Sequence, residues 1–197
     1  MTRAGASVRQ ARLHAVDQPV HLQDLRVAQS LSARQQRAAG VVGQRAGKRV
    51  QASGGHVFLA RQHFFLHALG QDDDDIARPH IGVFHTGGEM SPCNLNLQDQ
   101  AQHAKMGIYA GGGTPHECPV VSVSDGLTMA HSGMRFSLIS RELIADSVEA
   151  SVRGHQWDGI FGIGACDKHL PGLMMAMVRC NVPSVFVHGG SAMPGRM

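Results

Sequence analysis

A chain of 197 residues, 43% of them apolar and only 5% aromatic, has the material for one ordinary domain with an aliphatic, Met-rich core. No apolar run approaches the length that crosses a bilayer and no secretory apolar region opens the chain, so neither a membrane partner nor export is expected. The net charge of +3 conceals an asymmetry: residues 1–60 carry nine Lys or Arg against two acids, and residues 61–197 carry nine against thirteen. The expected organisation is a basic, low-order extension over 1–60 and an α/β domain over 61–197.

Within 1–60, Leu25–Val41 has the pattern of a basic amphipathic helix, broken from Gly40 onward by Gly43, Gly47, Gly54 and Gly55. An Arg-rich, acid-poor segment fits an organelle transit peptide or a nucleic-acid-binding tail. Serine is not enriched, however, and no aromatic side chain is interleaved with the basic ones for base stacking. The expectation is therefore a poorly ordered extension with no function of its own, in a cytoplasmic protein without a nucleic-acid partner. A mitochondrial or plastid location is the alternative if the segment is a transit peptide.

From Phe64 the character changes. Phe64–Gly70 is expected to be a short helix ending in Gly, and Asp72–Asp75 a solvated acidic turn, since a calcium loop would need alternating ligands and a following Glu. His63 and His67 lie one helical turn apart, as metal ligands do, with no Glu or third ligand accompanying them. Next come a strand at Ile81–Phe84 and a helix from about Asn94 to Tyr109. A second strand is expected at Pro119–Val123, after a Gly111–Pro115 turn, with a helix from about Ser137 to Arg153. Asp158–Ile163 reads as a third strand, followed by a helix opening at Pro171 and running to about Cys180, because Pro suits a first helical turn. Pro183–Val187 is a fourth strand. Strand–helix alternation of this kind predicts a three-layer α/β fold, a parallel sheet with helices on both faces.

The reactive groups gather in the three loops that follow strands. The first holds Cys93 in Ser-Pro-Cys-Asn, the second Asp125 in Val-Ser-Asp-Gly, and the third Cys166, Asp167 and Lys168 in succession. Open parallel sheets bind ligands at the carboxyl ends of their strands. Cys93 and Asp125 are 32 residues apart and Asp125 and Cys166 are 41 apart, about one βα unit each, so the loops can converge. Thiolates suit iron–sulfur clusters and carboxylates suit magnesium. Taken singly, a cysteine is usually a small buried hydrophobe and a loop aspartate a turn residue; it is the joint placement that raises a metal site. No pair of the four cysteines has CxxC spacing, and Gly162-Ile163-Gly164 starts a dinucleotide fingerprint that Asp167 breaks.

Three stretches carry a family resemblance. GGTPHECPVVSVSDGLTMAHSGMRFSLISRELIADSVE, Gly112–Glu149, and FGIGACDKHLPGLMMAMVRCNVPSVFVHGG, Phe161–Gly190, closely resemble dihydroxy-acid dehydratases. IARPHIGVFHTGGEMSPCNLNL, Ile76–Leu97, is similar with departures: where the family usually has Trp-Asn-Glu, this chain has Gly87-Gly88-Glu89. The resemblance implies that Cys93 and Cys166 hold an iron–sulfur cluster, 2Fe-2S or 4Fe-4S, and that Asp125, Asp167 and Lys168, the last as a carbamate, hold Mg2+. Cys118 and Cys180 match no family ligand and read as core thiols.

The implied reaction removes water from a small 2,3-dihydroxy-3-methyl carboxylic acid to give a 2-oxo acid, a step of valine and isoleucine biosynthesis, in an enzyme that is a homodimer at full length. The alternatives are a sugar-acid or phosphogluconate dehydratase of the same superfamily, or a non-catalytic fragment. The family's third cluster cysteine, a further magnesium ligand and the serine base fall past the position of Met197. No catalytic residue is therefore expected within the chain, and alone it is expected to be an inactive fragment.

Overall fold

Every strand of the sheet runs the same way, so each connection must cross over, and the chain supplies a helix for each crossing. The computed structural model describes residues 63–192 and residue 195; the expectations for 1–60 lie outside the described residues. The chain divides into two units, one ending at Arg78 and one beginning at Pro79.

In the first unit residues 63–68 are helical, as expected. The acidic run opens a helix instead of forming a turn, although Asp72, Asp73 and Asp74 are exposed to solvent as expected. Asp72 caps helix α1 (Asp73–Ala77) in a reciprocal box, its carboxylate accepting the Asp75 N–H at 2.9 Å. Asp75 is buried, and Arg78 Nη1 meets its carboxylate at 3.2 Å. Capping thus uses Asp72, and an ion pair uses the buried Asp75. The structure also brings a carboxylate to the histidine pair: ligand atoms of His63, His67 and Asp73 lie within 4.8 Å of one another. Asp73 and His67 form an exposed 3.3 Å pair, where solvent screens the charges.

In the second unit the elements are β1 (His80–His85), α2 (Leu97–Ala110), β2 (Thr114–Pro119), α3 (Asp125–Thr128), α4 (Arg135–His155), β3 (Gly159–Gly164), α5 (His169–Cys180) and β4 (Ser184–His188). The sheet order is β2-β1-β3-β4, all parallel. The three-layer expectation is met. One face packs Val83, Phe161 and Ile163 against Leu97, Ala101 and Ile108 of α2. The other packs Phe84 and Ile160 against Ile144, Val148 and Val152 of α4 and Leu173 and Ala176 of α5. Val83 and Phe84 face opposite ways, as the two-residue period of a strand requires. Burial of each such side chain is worth about 1.5–3 kcal/mol. Alpha4 and α5 approach closely because Gly172 has no side chain; a Cβ there would lie 2.8 Å from the Arg141 carbonyl oxygen.

The second strand differs from expectation. It occupies Thr114–Pro119, and the apolar run after it, Val120–Ser124, is the loop. Beta2 is an edge strand, pairing His80–His85 in register with Thr114–Pro119, so it needs only one covered flank and keeps polar residues. The amino ends of the strands are pinned by Asp158, whose carboxylate accepts the His80 N–H at 2.8 Å. Next to them the Trp157 ring stacks between His116 at 5.2 Å and His155 at 5.0 Å.

Glu117 ties β2 to the rest. Its carboxylate receives Lys105 Nζ at 2.8 Å, Gln102 Nε2 at 2.7 Å and His85 Nε2 at 3.2 Å. Burial opposes its ionisation, but the donors, Lys105 first, outweigh burial and hold the carboxyl below the usual range. A depressed folded value means that the stabilisation is present above the unfolded pKa and is lost as the pH falls through the folded value. We predict that Glu117→Gln costs about 1–2 kcal/mol at pH 7 and that the gap narrows toward pH 3. Denaturant titrations of both proteins at the two pH values check this; an equal gap at both would contradict it.

Candidate metal centre

Two strands adjacent in the sheet deliver the two candidate cluster cysteines. After β1 the chain passes Thr86–Met90 and enters a 3-10 turn, Pro92–Asn94, that presents Cys93. The long helix begins at Leu97 and not at about Asn94 as expected, so Cys93 sits on its own turn ahead of it. After β3, Cys166, Asp167 and Lys168 form the turn that opens α5, with the Cys166 carbonyl accepting the N–H of His169 at 3.0 Å and of Leu170 at 3.2 Å. The Sγ atoms of Cys93 and Cys166 lie 2.7 Å apart. Ser91 Oγ is 2.8 Å from the first and 3.4 Å from the second.

The loop before Cys93 shows why Gly87-Gly88 stands there. His85 Nε2 faces the Glu117 carboxylate and its Nδ1 accepts the Gly87 N–H at 3.0 Å, so the two partners fix the tautomer. A Cβ on Gly87 would lie 2.7 Å from that same Nδ1. Gly88 follows at φ 151°, a backbone conformation open to glycine.

The candidate magnesium residues also meet. Lys168 Nζ donates to Asp125 Oδ2 at 2.8 Å and to Asp167 Oδ2 at 2.7 Å. Asp125 heads α3 and its second oxygen accepts the hydroxyl of buried Ser137 from α4. Lys168 is two residues from Cys166, so the pair of thiols and the carboxylate–lysine group are neighbours. Asp125 first and then Asp167 push the Lys168 amine above its usual value, and Lys168 in turn holds the Asp167 carboxyl down. Burial, reinforced by Cys93, pushes the Cys166 thiol up to about 11. Binding of a soft metal there must therefore expel protons. Cys118 and Cys180 lie elsewhere, packed on the core formed by Phe84, Ile144 and Leu173.

All five residues singled out from the sequence meet at the carboxyl edge of one parallel sheet. Sequence reasoning missed Ser91, Ser137, Asn94, Ser122 and His169. Asn94 Nδ2 donates to Ser122 Oγ at 2.8 Å, and Ser122 Oγ lies 3.0 Å from His169 Nε2, all three being buried. Only the adjacency of Asn94 to Cys93 and of His169 to Lys168 could have drawn attention to them. The broken glycine fingerprint has a packing explanation: a Cβ on Gly162 would meet Met177 at 2.6 Å, and one on Gly164 would meet Leu173 at 3.1 Å.

The fold is a parallel α/β domain with two thiols and a carboxylate–lysine group at its carboxyl edge, and comparison with known proteins names its family. The model of the dihydroxy-acid/6-phosphogluconate dehydratase N-terminal family matches residues 78–197. The chain belongs to that family. It is 56% identical over 133 residues to dihydroxy-acid dehydratase 3 of Bradyrhizobium diazoefficiens, covering 68% of this chain and 23% of the relative. It is 55% identical over 132 residues to dihydroxy-acid dehydratase of Pelagibacter ubique, covering 67% and 23%. With dihydroxy-acid dehydratase of an Arthrobacter species it shares 50% over 147 residues, covering 75% and 25%. The chain thus spans about a quarter of the length of these relatives.

If Lys168 is what keeps Asp167 ionised, Lys168→Met removes the largest cause of the depression. We predict that the Asp167 carboxyl then titrates at higher pH than in the parent protein. Carbon-detected NMR titration of the aspartate side chains checks this; an unchanged midpoint would contradict it.

Proposed function

We propose that this chain forms the metal-binding part of a hydro-lyase that dehydrates 2,3-dihydroxy-3-methyl carboxylic acids to 2-oxo acids, in valine and isoleucine biosynthesis. The supporting observation is the meeting of Cys93 and Cys166 beside Asp125, Asp167 and Lys168, in a chain whose relatives are named dihydroxy-acid dehydratases. Cys93 and Cys166 would hold an iron–sulfur cluster, and Asp125, Asp167 and a carbamate on Lys168 would hold Mg2+. When bound, these groups supply Lewis-acid chemistry, the magnesium toward the substrate's carboxylate and 2-hydroxyl and the cluster iron toward the departing 3-hydroxyl.

The chain's own residues fit both groups. Paired thiols with a buried serine beside them suit a soft metal. At the second position Lys168 as an ammonium bridges two carboxylates and offsets one of their two negative charges. As a carbamate it would exchange that positive charge for a negative one and place three anionic groups together. Such a set calls for a divalent cation, so carbamate formation and magnesium binding would be coupled. Ser137, by donating to one oxygen of Asp125, orients the other toward Lys168.

A homodimer belongs to the proposal. Phe136, Ile139 and Leu143 form an apolar stripe on α4, 62%, 48% and 49% exposed, which supports burial of that face against another protein surface.

A chimera tests the activity. Residues 78–197 replace the matching part of the Bradyrhizobium diazoefficiens relative, and formation of the 2-oxo acid from 2,3-dihydroxy-3-methylbutanoate is assayed anaerobically. We predict turnover, reduced by a factor of ~10² or more in Cys93→Ser and Asp125→Asn, because ligands to a reaction's metals are lost. An active chimera indifferent to both substitutions would contradict the assignment.

A further inference from the structure

Each of the three loops that carry candidate ligands also sends one side chain to the same buried spot. Asn94 follows Cys93, Ser122 stands three residues before Asp125, and His169 follows Lys168. Asn94 and His169 are 0% exposed and Ser122 is 4% exposed. The Asn94 amide donates to Ser122 Oγ at 2.8 Å, and Ser122 Oγ meets His169 Nε2 at 3.0 Å, so three loops separated by 28 and 47 residues are joined by one polar bridge. We infer that Asn94, Ser122 and His169 are positioning residues, a buried bridge that sets the spacing of the Cys93 and Cys166 thiols before any metal arrives.

Two observations carry this. The bridge is mechanically continuous with the thiols. The Asn94 N–H bonds the Ser91 carbonyl at 2.9 Å across the turn that holds Cys93, and the His169 N–H bonds the Cys166 carbonyl at 3.0 Å. Movement of either bridging side chain would therefore move a thiol. The bridge is also poorly suited to stability alone, since Asn94 Oδ1 and His169 Nδ1 are buried with no partner among the described residues. Apolar side chains would fill this space at lower cost. Buried polar groups of this kind can instead specify a geometry, which apolar contacts do less sharply. Burial keeps His169 neutral, below its usual pKa, so it bonds as an imidazole.

The inference deepens the reading above and rests on it for the use of the thiols, though not for their spacing. A trivalent arsenical tests the spacing without iron. Phenylarsine oxide reacts with two nearby thiols, forming two As–S bonds and releasing one water. It is titrated into the reduced full chain, with Cys93→Ser as the control that identifies the pair. Ser122→Ala and His169→Leu are each expected to weaken capture about tenfold or more, whereas Ser122→Thr, which keeps the hydroxyl, stays near the parent protein. Thermal melting is measured alongside. Capture within twofold of the parent in Ser122→Ala, with or without a lower melting temperature, would overturn the inference by showing a structural role only. If His169→Leu does not fold, Ser122→Ala decides alone. Network-dependent capture by a chain that takes up no cluster would uphold the bridge and sink the cluster reading.

Discussion

The site depends on the reversal of strand order between β1 and β3. These strands lie side by side, yet α2, which follows β1, packs on one face of the sheet, while α5, which follows β3, packs on the other. Their loops must part, and a crevice opens at the carboxyl edge between them. Cys93 leaves one wall and Cys166 the other, and Asp125 arrives from the loop after the edge strand. The opposite end of the sheet is closed by Asp158 and the stacked Trp157 ring. Stability and chemistry are thereby assigned to different ends of the same strands.

Much of this was legible from local pattern. Beta1, β3 and β4 are apolar runs, and helices α4 and α5 keep a clear 3.6-residue period of buried positions. Beta2 was not legible, because an edge strand of His, Glu and Cys has no apolar signature, while Val120 and its neighbours mimic one in a loop. The acidic run misled for a related reason. Which of four aspartates caps a helix and which becomes buried depends on Arg78 and the turn, not on composition.

The candidate ligand residues were legible because each lies in the connection that follows a strand and because the motifs resemble a known family. Their supports were not. Ser137 reaches Asp125 from a different element, and the bonds from Asn94 through Ser122 to His169 join positions that no spacing rule connects. Electrostatics was likewise invisible in one dimension. Asp167 and Lys168 are adjacent in sequence, but only the fold adds Asp125 and turns a simple pair into a bridged trio.

The central claim is that Cys93 and Cys166, and not the other two thiols, form a metal-binding pair. The direct measurement is anaerobic reconstitution of the full chain with iron and sulfide, read by visible absorbance and iron content per chain. Cluster absorbance should be lost in Cys93→Ser and in Cys166→Ser and kept in Cys118→Ser and Cys180→Ser, whose thiols pack in the core. Retention in either of the first two variants, or loss confined to the last two, would contradict the account.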